Sequence, residues 1–203
     1  DALAPRSAAL RLVGRDAARL EARCEAIRAA HPATDVQPLV ADVIQAEGRA
    51  WVAAAAHEIG ADLLVNNAGV NDFAMFDAQS DAAVERLLQT NLLAPMLLTR
   101  ALLPGLRARD RARIVNVGSI FGYLGYPGCA AYSASKFGLR GFSEALRREL
   151  ADSGVRVQYF APRATRTALN GDAMCELNAE LKVVMDAPER VAREFLALLD
   201  APR

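Results

Sequence analysis

The sequence is poor in the residues that cross-link a chain or bind metals. Its three cysteines, Cys24, Cys129 and Cys175, are odd in number and far apart, so they suggest no disulfide framework and are typical of a reducing compartment such as the cytoplasm. The two histidines, His31 and His57, stand outside any metal-ligand pattern, and no pair of cysteines has the spacing of a zinc site. We therefore expect a cytoplasmic protein without a metal centre.

An excess of charge of one sign is also lacking. The 24 lysines and arginines balance 24 aspartates and glutamates, so neither a nucleic acid nor a membrane surface is expected as a partner. The longest apolar stretches are too short or too interrupted to span a bilayer. A chain of 203 residues, 53% of them hydrophobic, can bury one sizeable core and is short for two, which predicts a single domain.

Short apolar stretches alternate with stretches of helical spacing along the chain. This alternation is typical of a parallel sheet that is covered by helices on both faces. We therefore predict one Rossmann-type α/β domain, doubly wound, with three layers. The predicted strands are Leu10–Val13, Leu39–Ala41, Asp62–Val65, Arg113–Val117 and Arg156–Phe160, and the predicted helices are Asp16–Ala30, Ala46–Ile59, Asp81–Leu106, Tyr132–Ala151 and Pro188–Leu199.

Tyr132 and Lys136 stand four residues apart at the start of a predicted helix. Residues at this spacing share a helix face, so the phenol and the ammonium group can point at the same spot. A tyrosine titrates near pH ~10 when unperturbed, and a nearby cation lowers that pKa by stabilising the phenolate. Tyr132 could then transfer a proton near neutral pH. Alone, the spacing is weak evidence, because both residue types are common on solvated helix faces.

Two further polar residues precede this pair in the sequence. Ser119 follows the predicted strand Arg113–Val117 at its carboxyl end, which is the edge where ligands bind in open α/β sheets. Asn91 lies inside the predicted helix Asp81–Leu106, although asparagine is a mediocre helix former. Ser119 could bond a substrate oxygen. Asn91 invites a functional explanation, with a surface or capping asparagine as the ordinary alternative.

Taken together, these motifs identify a family. Asn66-Asn67-Ala68-Gly69, Asn91, Ser119 and Tyr132-x-x-x-Lys136 occur in the order and spacing of the short-chain dehydrogenase/reductase family. The resemblance covers nearly all the chain. It implies an NAD(P)-dependent oxidoreductase, which transfers hydride between a nicotinamide cofactor and a carbonyl compound or secondary alcohol.

The resemblance also implies a role for each catalytic position. Tyr132 resembles the family's general acid/base, and Lys136 resembles the residue that lowers the pKa of that tyrosine and bonds the nicotinamide ribose. Ser119 is similar to the residue that orients the substrate carbonyl. Asn91 resembles the residue that holds a water molecule in a proton relay.

Three further segments resemble parts of the family's cofactor site. One is similar to a pair that recognises adenine, one to the turn beside the adenine ribose, and one to the segment beside the nicotinamide. The adenine pair is Asp42 and Val43, and the turn is Asn67, Ala68 and Gly69. The segment beside the nicotinamide contains Pro162, Thr165 and Thr167. Tyr132 and Lys136 are expected to contact the cofactor as well. Alone, an aspartate after a strand is more often a helix cap. Arg163 stands where the family commonly has glycine, and arginine adopts a positive φ less easily.

Arg15 bears on the choice between NADPH and NADH. It follows the predicted strand Leu10–Val13, and Gly14 occupies the position where an acidic residue would bond the ribose 2′-hydroxyl. A guanidinium can bind a 2′-phosphate, and no carboxylate at this position repels it. We therefore expect NADP(H) rather than NAD(H), although Asp16 nearby weakens the inference and dual specificity is the alternative.

Two of the family's usual elements are not found in the sequence. Asp1–Ala4 has the character of a helix end, so the glycine-rich turn and the strand before it are not seen, and neither is the last strand. In the family's strand order, the first strand lies between Leu10–Val13 and Asp62–Val65. We expect those two strands to form no direct ladder and to stand about 10 Å apart, since adjacent strands are about 4.8 Å apart.

The remaining expectations concern partners and competing functions. Aromatic and methionine side chains on loops after the strands, among them Phe73 and Phe121, suit an apolar carbonyl or alcohol substrate, with loop packing as the alternative. By resemblance, two long helices pair subunits into a homodimer or homotetramer. A catalytically inactive dinucleotide-binding sensor or scaffold would not need the Tyr132–Lys136 pair. An epimerase or dehydratase would need a further substrate domain.

Overall fold

The structure is a computed structural model that describes residues 1–201. Five strands alternate with helices, as the sequence predicts, and the element boundaries shift by a few residues at most ends. The strands are β1 Ala9–Gly14, β2 Asp35–Val40, β3 Leu63–Asn66, β4 Ala112–Val117 and β5 Val155–Phe160. The helices are α1 Ala17–Ala30, α2 Ala46–Glu58, α3 Asp81–Leu88, α4 Ala94–Arg107, α5 Ala130–Glu149, α6 Asp172–Glu180 and α7 Pro188–Asp200.

The strands pair in parallel in two groups. β1 pairs with β2, and β4 lies between β3 and β5. Within residues 1–201, β1 and β3 form no ladder with each other, as expected for these two strands. The additional strand that the resemblance places between them stays a prediction. Because all strands of a group run the same way, the carboxyl ends of β3, β4 and β5 meet at one edge.

The main hydrophobic core lies beneath β3, β4 and β5. It is formed where these strands pack against α2, α4 and α5, with Ile114 and Val115 of β4 fully buried. A smaller core fixes α1 on β1 and β2 and is centred on Cys24, Ile27 and Val36. Burying apolar area stabilises such layers by about 25 cal/mol per Å². The larger core therefore makes the three-stranded group the rigid support of the carboxyl-end edge.

The predicted helical region Asp81–Leu106 is confirmed over its whole length, but it is not one regular α-helix. α3 ends at Leu88, and a π-helical turn over Gln89–Leu93 separates it from α4. Pro95 near the start of α4 has no N–H group to donate to the carbonyl of Asn91, so the regular α-helical bond at this place is missing. π-turns inside helices frequently lie at functional sites.

The expected helix end at Asp1–Ala4 is also wrong. That segment leads into a single 3₁₀ turn over Ala4–Arg6. α5 begins at Ala130, two residues earlier than predicted, so Tyr132 lies in its first turn. Within residues 1–201, no helix is both long enough and apolar enough to cross a membrane.

Candidate active site

Tyr132 and Lys136 lie side by side at the amino-terminal end of α5. Both side chains are buried, with 5% and 4% of each residue exposed. The Lys136 ammonium nitrogen lies 5.7 Å from the centre of the Tyr132 ring, and it donates a hydrogen bond of 3.0 Å to the carbonyl oxygen of Val117. The end of β4 therefore holds the ammonium group beside the phenol.

Ser119 reaches the same place from β4. It begins the 3₁₀ turn Ile120–Gly122, and its Oγ accepts a hydrogen bond of 3.1 Å from the backbone N–H of Phe121. The Ser119 hydroxyl lies close enough to the Tyr132 phenol to oppose the rise in its pKa that burial causes. The structure thus brings Ser119, Tyr132 and Lys136 together, as their positions in the sequence predict.

Burial sets the proton affinities of this pair. Loss of water contact raises the pKa of Tyr132, against the opposing effect of the Ser119 hydroxyl, and it lowers the pKa of Lys136 to about 8. The sequence suggested instead that a nearby cation lowers the pKa of Tyr132. In the folded chain, desolvation outweighs that effect, because it disfavours the charged form of each group. The phenol is therefore neutral at neutral pH and able to donate its proton.

Asn91 is neither a surface residue nor a helix cap, so the ordinary alternative for it is wrong. It lies in the π-turn with 1% of its surface exposed. Its Nδ2 donates to the Val70 carbonyl oxygen at 2.9 Å and to Ser135 Oγ at 3.1 Å, and its Oδ1 accepts from the Val70 N–H at 2.8 Å. These bonds fix the loop after β3 to α5. The expected role in holding water stays a prediction.

The turn after β3 lies next to Tyr132 and Lys136. Asn67 and Ala68 are exposed and Gly69 is half-buried. A Cβ atom placed on Gly69 would lie 3.7 Å from Lys136 Nζ and 3.4 Å from Asn91 Oδ1. The turn predicted to lie beside the adenine ribose and the lysine predicted to bond the nicotinamide ribose are therefore neighbours.

Arg15 and Asp42 meet at the ends of β1 and β2. Arg15 Nη1 lies 3.9 Å from Asp42 Oδ2, and 69% of the Arg15 side chain is exposed. Asp42 Oδ1 also accepts a hydrogen bond of 3.0 Å from the Ile44 N–H, which is the local capping role that an aspartate after a strand often has. Val43 packs against the main core. Both predicted cofactor positions of this segment thus also have structural contacts.

The segment from Pro162 to Thr167 lies beside the Ser119 turn. The Pro162 carbonyl oxygen accepts a bond of 3.2 Å from the Ile120 N–H, and Thr165 forms an isolated parallel bridge with Asp186. Thr167 is exposed. Within residues 1–201, Lys182 is the one residue other than glycine with a positive φ. Arg163 therefore does not take the positive φ that glycine adopts easily, and the expected departure from the family's usual backbone beside the nicotinamide stays a prediction.

Aromatic side chains surround the buried ring of Tyr132. Phe121 meets it edge-on at 6.3 Å and stacks on Tyr126 at 5.3 Å between ring centres. Phe73 packs in the same cluster. A cavity of about 210 Å³ opens nearby and is lined by Asn71, Asp72, Phe73, Leu169, Gly171, Asp172, Ala173 and Met174.

In the described part of the chain, no group of three His, Cys, Asp or Glu side chains could hold a metal ion.

Two residues that contact the site did not follow from the sequence reasoning. Ser135 donates to the Tyr132 carbonyl oxygen at 2.6 Å and accepts from Asn91. Tyr159 places its hydroxyl against the backbone of Ser119 and Lys136. A hydroxyl three residues after Tyr132 is a readable signal for the first. The second depends on a contact between β5 and the turn after β4, which no local pattern shows.

Comparison with known proteins agrees with this geometry. The family model for the short chain dehydrogenases matches residues 1–177. The chain belongs to the short-chain dehydrogenase/reductase family. A solved member, a short-chain dehydrogenase from Sphingobium yanoikuyae in complex with NADPH, is 30% identical and superposes with a TM-score of 0.88, over 98% of this chain and 77% of that one.

Curated members of the short-chain dehydrogenase/reductase family are also similar. Ketoacyl reductase HetN of Nostoc sp. is 36% identical over 163 residues, which is 79% of this chain and 56% of the relative. The 3-oxoacyl-[acyl-carrier-protein] reductase of Bos taurus is 40% identical over 144 residues, which is 70% of this chain and 60% of the relative. The chain thus spans less than two thirds of the length of these two curated relatives.

Proposed function

We propose that the protein is an NAD(P)-dependent oxidoreductase that interconverts a carbonyl compound and its secondary alcohol, with Tyr132 as general acid/base. The observation that supports this most is the group of Ser119, Tyr132 and Lys136, in which a buried, neutral phenol lies beside a serine hydroxyl and a buried ammonium. Three such groups at the carboxyl end of a parallel sheet have no packing purpose. They suit proton transfer to an oxygen atom.

The residues present fit a nicotinamide dinucleotide. Lys136 has three N–H donors, of which the described chain uses one, on Val117. The other two can bond the hydroxyl groups of the nicotinamide ribose, and the turn Asn67–Gly69 is proposed to lie beside the adenine ribose. Bound there, the nicotinamide would supply hydride in reduction and accept it in oxidation. Pro162, Thr165 and Thr167 are proposed to line the nicotinamide end, and Asp42 with Val43 the adenine end.

The chain's own residues then handle the oxygen and its proton. Ser119 Oγ bonds the carbonyl oxygen and orients it toward Tyr132. As hydride arrives at the carbonyl carbon, the Tyr132 phenol gives its proton to that oxygen, and the C=O bond becomes C–OH. The Lys136 ammonium stabilises the phenolate that remains until water reprotonates it. Donors fixed in a buried site do this without reorganising, which is the main source of their effect.

NADPH is the proposed cofactor in preference to NADH. The Arg15 guanidinium is exposed at the end of β1, and its contact with Asp42 is long at 3.9 Å, so an ion pair of this kind contributes little and can be exchanged for a phosphate. The solved relative from Sphingobium yanoikuyae is described with NADPH. Dual specificity is the runner-up.

The substrate is proposed to be an apolar ketone, an oxoacyl group or the corresponding alcohol. Phe73 and Met174 form apolar walls of the 210 Å³ cavity, and aromatic rings surround Tyr132. The names of two relatives, a ketoacyl reductase and a 3-oxoacyl-[acyl-carrier-protein] reductase, point to the same class.

A cytoplasmic homodimer or homotetramer is proposed as the working form. Leu88 of α3, Leu93 of the π-turn and Phe137 of α5 are 38–48% exposed, and α3 and the π-turn both pack against α5. Exposed apolar side chains that cluster on one side are typical of subunit interfaces. Analytical ultracentrifugation should therefore give an oligomer, and Phe137→Glu should favour the monomer.

Turnover with a panel of carbonyl compounds tests the proposed activity. Oxidation of NADPH is followed by absorbance for the wild type, for Tyr132→Phe and for Ser143→Ala, which removes a buried hydroxyl of α5 outside the site. We expect turnover in the wild type and in Ser143→Ala and almost none in Tyr132→Phe. Cofactor binding by the wild type without turnover on any carbonyl would contradict the proposal and indicate a dinucleotide-binding sensor.

A further inference from the structure

Tyr159, near the carboxyl end of β5, lies against the turn that carries Ser119. A Cβ atom on Gly118 would overlap the Cζ of Tyr159, and one on Gly122 would overlap its hydroxyl oxygen. The phenol therefore occupies space that is open only because both positions lack a side chain. No role in the proposed reaction has been given to Tyr159 so far.

The hydroxyl of Tyr159 joins two backbones that belong to the candidate site. Its oxygen accepts from the Ser119 N–H at 3.4 Å, and its proton is directed to the Lys136 carbonyl oxygen at 3.2 Å, with the Ser119 carbonyl oxygen as a second acceptor at 3.5 Å. One phenol can both donate and accept. Through one atom, the turn after β4 is thus tied to α5 at the position of the lysine.

A second tie joins the same two segments. The Lys136 ammonium donates to the Val117 carbonyl oxygen at 3.0 Å, two residues before Ser119. The turn is therefore bonded to Lys136 by the lysine's own side chain and, through Tyr159, by the lysine's backbone. Two ties at different points fix both the distance and the angle between the turn and α5, and hence the separation of Ser119 from Tyr132.

The surroundings keep Tyr159 in its donor form. Burial raises the pKa of Tyr159 to about 12. The ionisable groups around it are Tyr123, whose ring lies edge-on at 5.9 Å, Tyr132, and Arg140, whose guanidinium lies 4.0 Å from the Tyr123 ring centre. The hydroxyl remains protonated over the pH range in which an oxidoreductase is assayed.

We propose that Tyr159 is a positioning residue, which holds Ser119 and Lys136 in register through its hydroxyl and thereby sets the geometry of proton transfer at Tyr132. The inference rests on the proposed function for its effect on turnover. Its structural part, the tie between Ser119 and Lys136, does not depend on the identity of the substrate. Tyr159 touches no reacting atom, so it acts through its two partners.

Tyr159→Phe is the direct test, because it keeps the ring and removes the hydroxyl. We expect kcat to fall about tenfold, the effect of one lost hydrogen bond on the geometry of the step, with the KM for NADPH and for the carbonyl within about twofold of wild type. The alkaline limb of the pH profile for reduction should move to higher pH, because a displaced Ser119 no longer lowers the pKa of Tyr132.

Ser143→Ala is the matched control. Ser143 Oγ accepts from Asn116 Nδ2 at 2.8 Å and donates to the Leu139 carbonyl oxygen at 2.6 Å, so it too ties α5 to the sheet through a buried hydroxyl, without touching the turn. It should lower Tm to a similar extent and leave kcat and the pH profile unchanged. Tyr159→Phe with wild-type kcat and profile, whatever its Tm, would overturn the proposal and leave Tyr159 as packing.

A variant pair separates packing from hydrogen bonding if Tyr159→Phe folds poorly. Tyr159→Ala opens the space under the turn, and adding Gly118→Ala refills part of it from the other side. The double variant should recover Tm relative to Tyr159→Ala while kcat stays low, since no hydroxyl has returned. Recovery of kcat together with Tm would contradict the proposal.

A readout without turnover keeps this test separate from that of the proposed function. Lys136 and Lys182 are the two lysines of the sequence, so isotope-labelled lysine gives two resolvable side-chain NMR signals. The Lys136 signal should shift in Tyr159→Phe and remain in place in Ser143→Ala. If the wild type turned over no carbonyl, the proposed function would fail while a shifted signal still supported the tie, and an unmoved signal would refute it.

Discussion

Most of the residues proposed for catalysis on the β3–β4–β5 side of the molecule are buried, whereas Arg15, proposed to bind the cofactor on the β1–β2 side, is exposed. On the first, Tyr132, Lys136 and Asn91 are at most 5% exposed, and the side chains of Lys136 and Asn91 bond backbone atoms of Val117 and Val70. On the second, Arg15 is 69% exposed and meets Asp42 at 3.9 Å. The side chains proposed for catalysis are thus fixed before any ligand binds, whereas Arg15 and Asp42 are left for a ligand to order.

This difference follows from the size of the two cores. The three strands of the first side are packed by α2, α4 and α5 into one large cluster, while β1 and β2 share a small cluster with α1. Polar groups can be buried in fixed positions only where a rigid shell satisfies their bonds. Substitutions on the first side should therefore change rate and stability sharply, and those on the second should change cofactor preference alone.

Tyr132→Phe should produce the largest effect. The ring stays packed against Phe121 and only the proton donor is lost, so we expect kcat to fall by about 10²–10⁴-fold, the usual contribution of general acid–base catalysis. The shift in Tm that NADPH induces should be nearly that of the wild type, because the fold and the cofactor contacts remain. Turnover within about tenfold of wild type would show that Tyr132 is not the acid.

Asn91→Leu should come next, as a loss of stability. The substitution leaves the N–H and carbonyl of Val70 and the hydroxyl of Ser135 without their partner, and unsatisfied buried groups are costly. We expect the free energy of unfolding to fall by about 3 kcal/mol in denaturant titration. Asn178→Leu is the control, since within residues 1–201 the side chain of Asn178 bonds only the Met185 sulfur, at 3.9 Å, and its loss should change stability little. Equal losses in the free energy of unfolding for the two variants would contradict the stabilising role given to the buried hydrogen bonds of Asn91.

Lys136→Met should raise stability at neutral pH while it removes turnover. Burial lowers the pKa of Lys136 from its ordinary 10.5 to about 8, which costs the folded state about 3 kcal/mol when the group is charged. The lost bond to Val117 offsets about 1 kcal/mol of that. We expect a net gain of about 2 kcal/mol at pH ~7 in denaturant titration.

The pH dependence of this gain has a definite sign. Between about 8 and 10.5 the unfolded chain holds the lysine proton and the folded chain has released it, so the stability of the wild type rises with pH across this window. The gain from Lys136→Met should therefore be complete below pH ~8 and vanish above about 10.5. A gain that is the same at all pH values would point to packing instead of desolvation.

Arg15→Ala should have the smallest effect, confined to one cofactor. The lost charge-assisted contact to a 2′-phosphate is worth about 1.5 kcal/mol at an exposed site, seen in calorimetry as weaker NADPH binding with NADH unchanged. Arg23→Ala is the matched control, because it removes a guanidinium of the neighbouring helix that pairs with Asp1 at 2.8 Å. Equal weakening for both cofactors would remove the basis for NADPH preference.

Local patterns predicted most of the fold and singled out the candidate catalytic residues. The predicted strands are short runs rich in apolar residues, and the Tyr132–Lys136 spacing fixes a shared helix face. The break at Gln89–Leu93 escaped prediction because the helical spacing runs on through it, although Pro95 was a readable sign. Tyr159 escaped because its contacts depend on how β5 meets Gly118 and Gly122. The pKa of Tyr132 is raised and not lowered because the phenol is buried, and the sequence spacing of Tyr132 and Lys136 does not show burial.

The titration of Lys136 most directly tests the claim that Lys136 is buried and fixed beside Tyr132 before any ligand binds. Its side-chain NMR signal can be followed against pH in the wild type, with exposed Lys182 giving the other lysine signal and Lys136→Met assigning the two. A buried ammonium held between Val117 and Tyr132 should titrate with a midpoint of about 8. A midpoint at the ordinary value of 10.5 would mean that water reaches the ammonium group. It would contradict the account in which Lys136 is buried and fixed beside Tyr132 before any ligand binds.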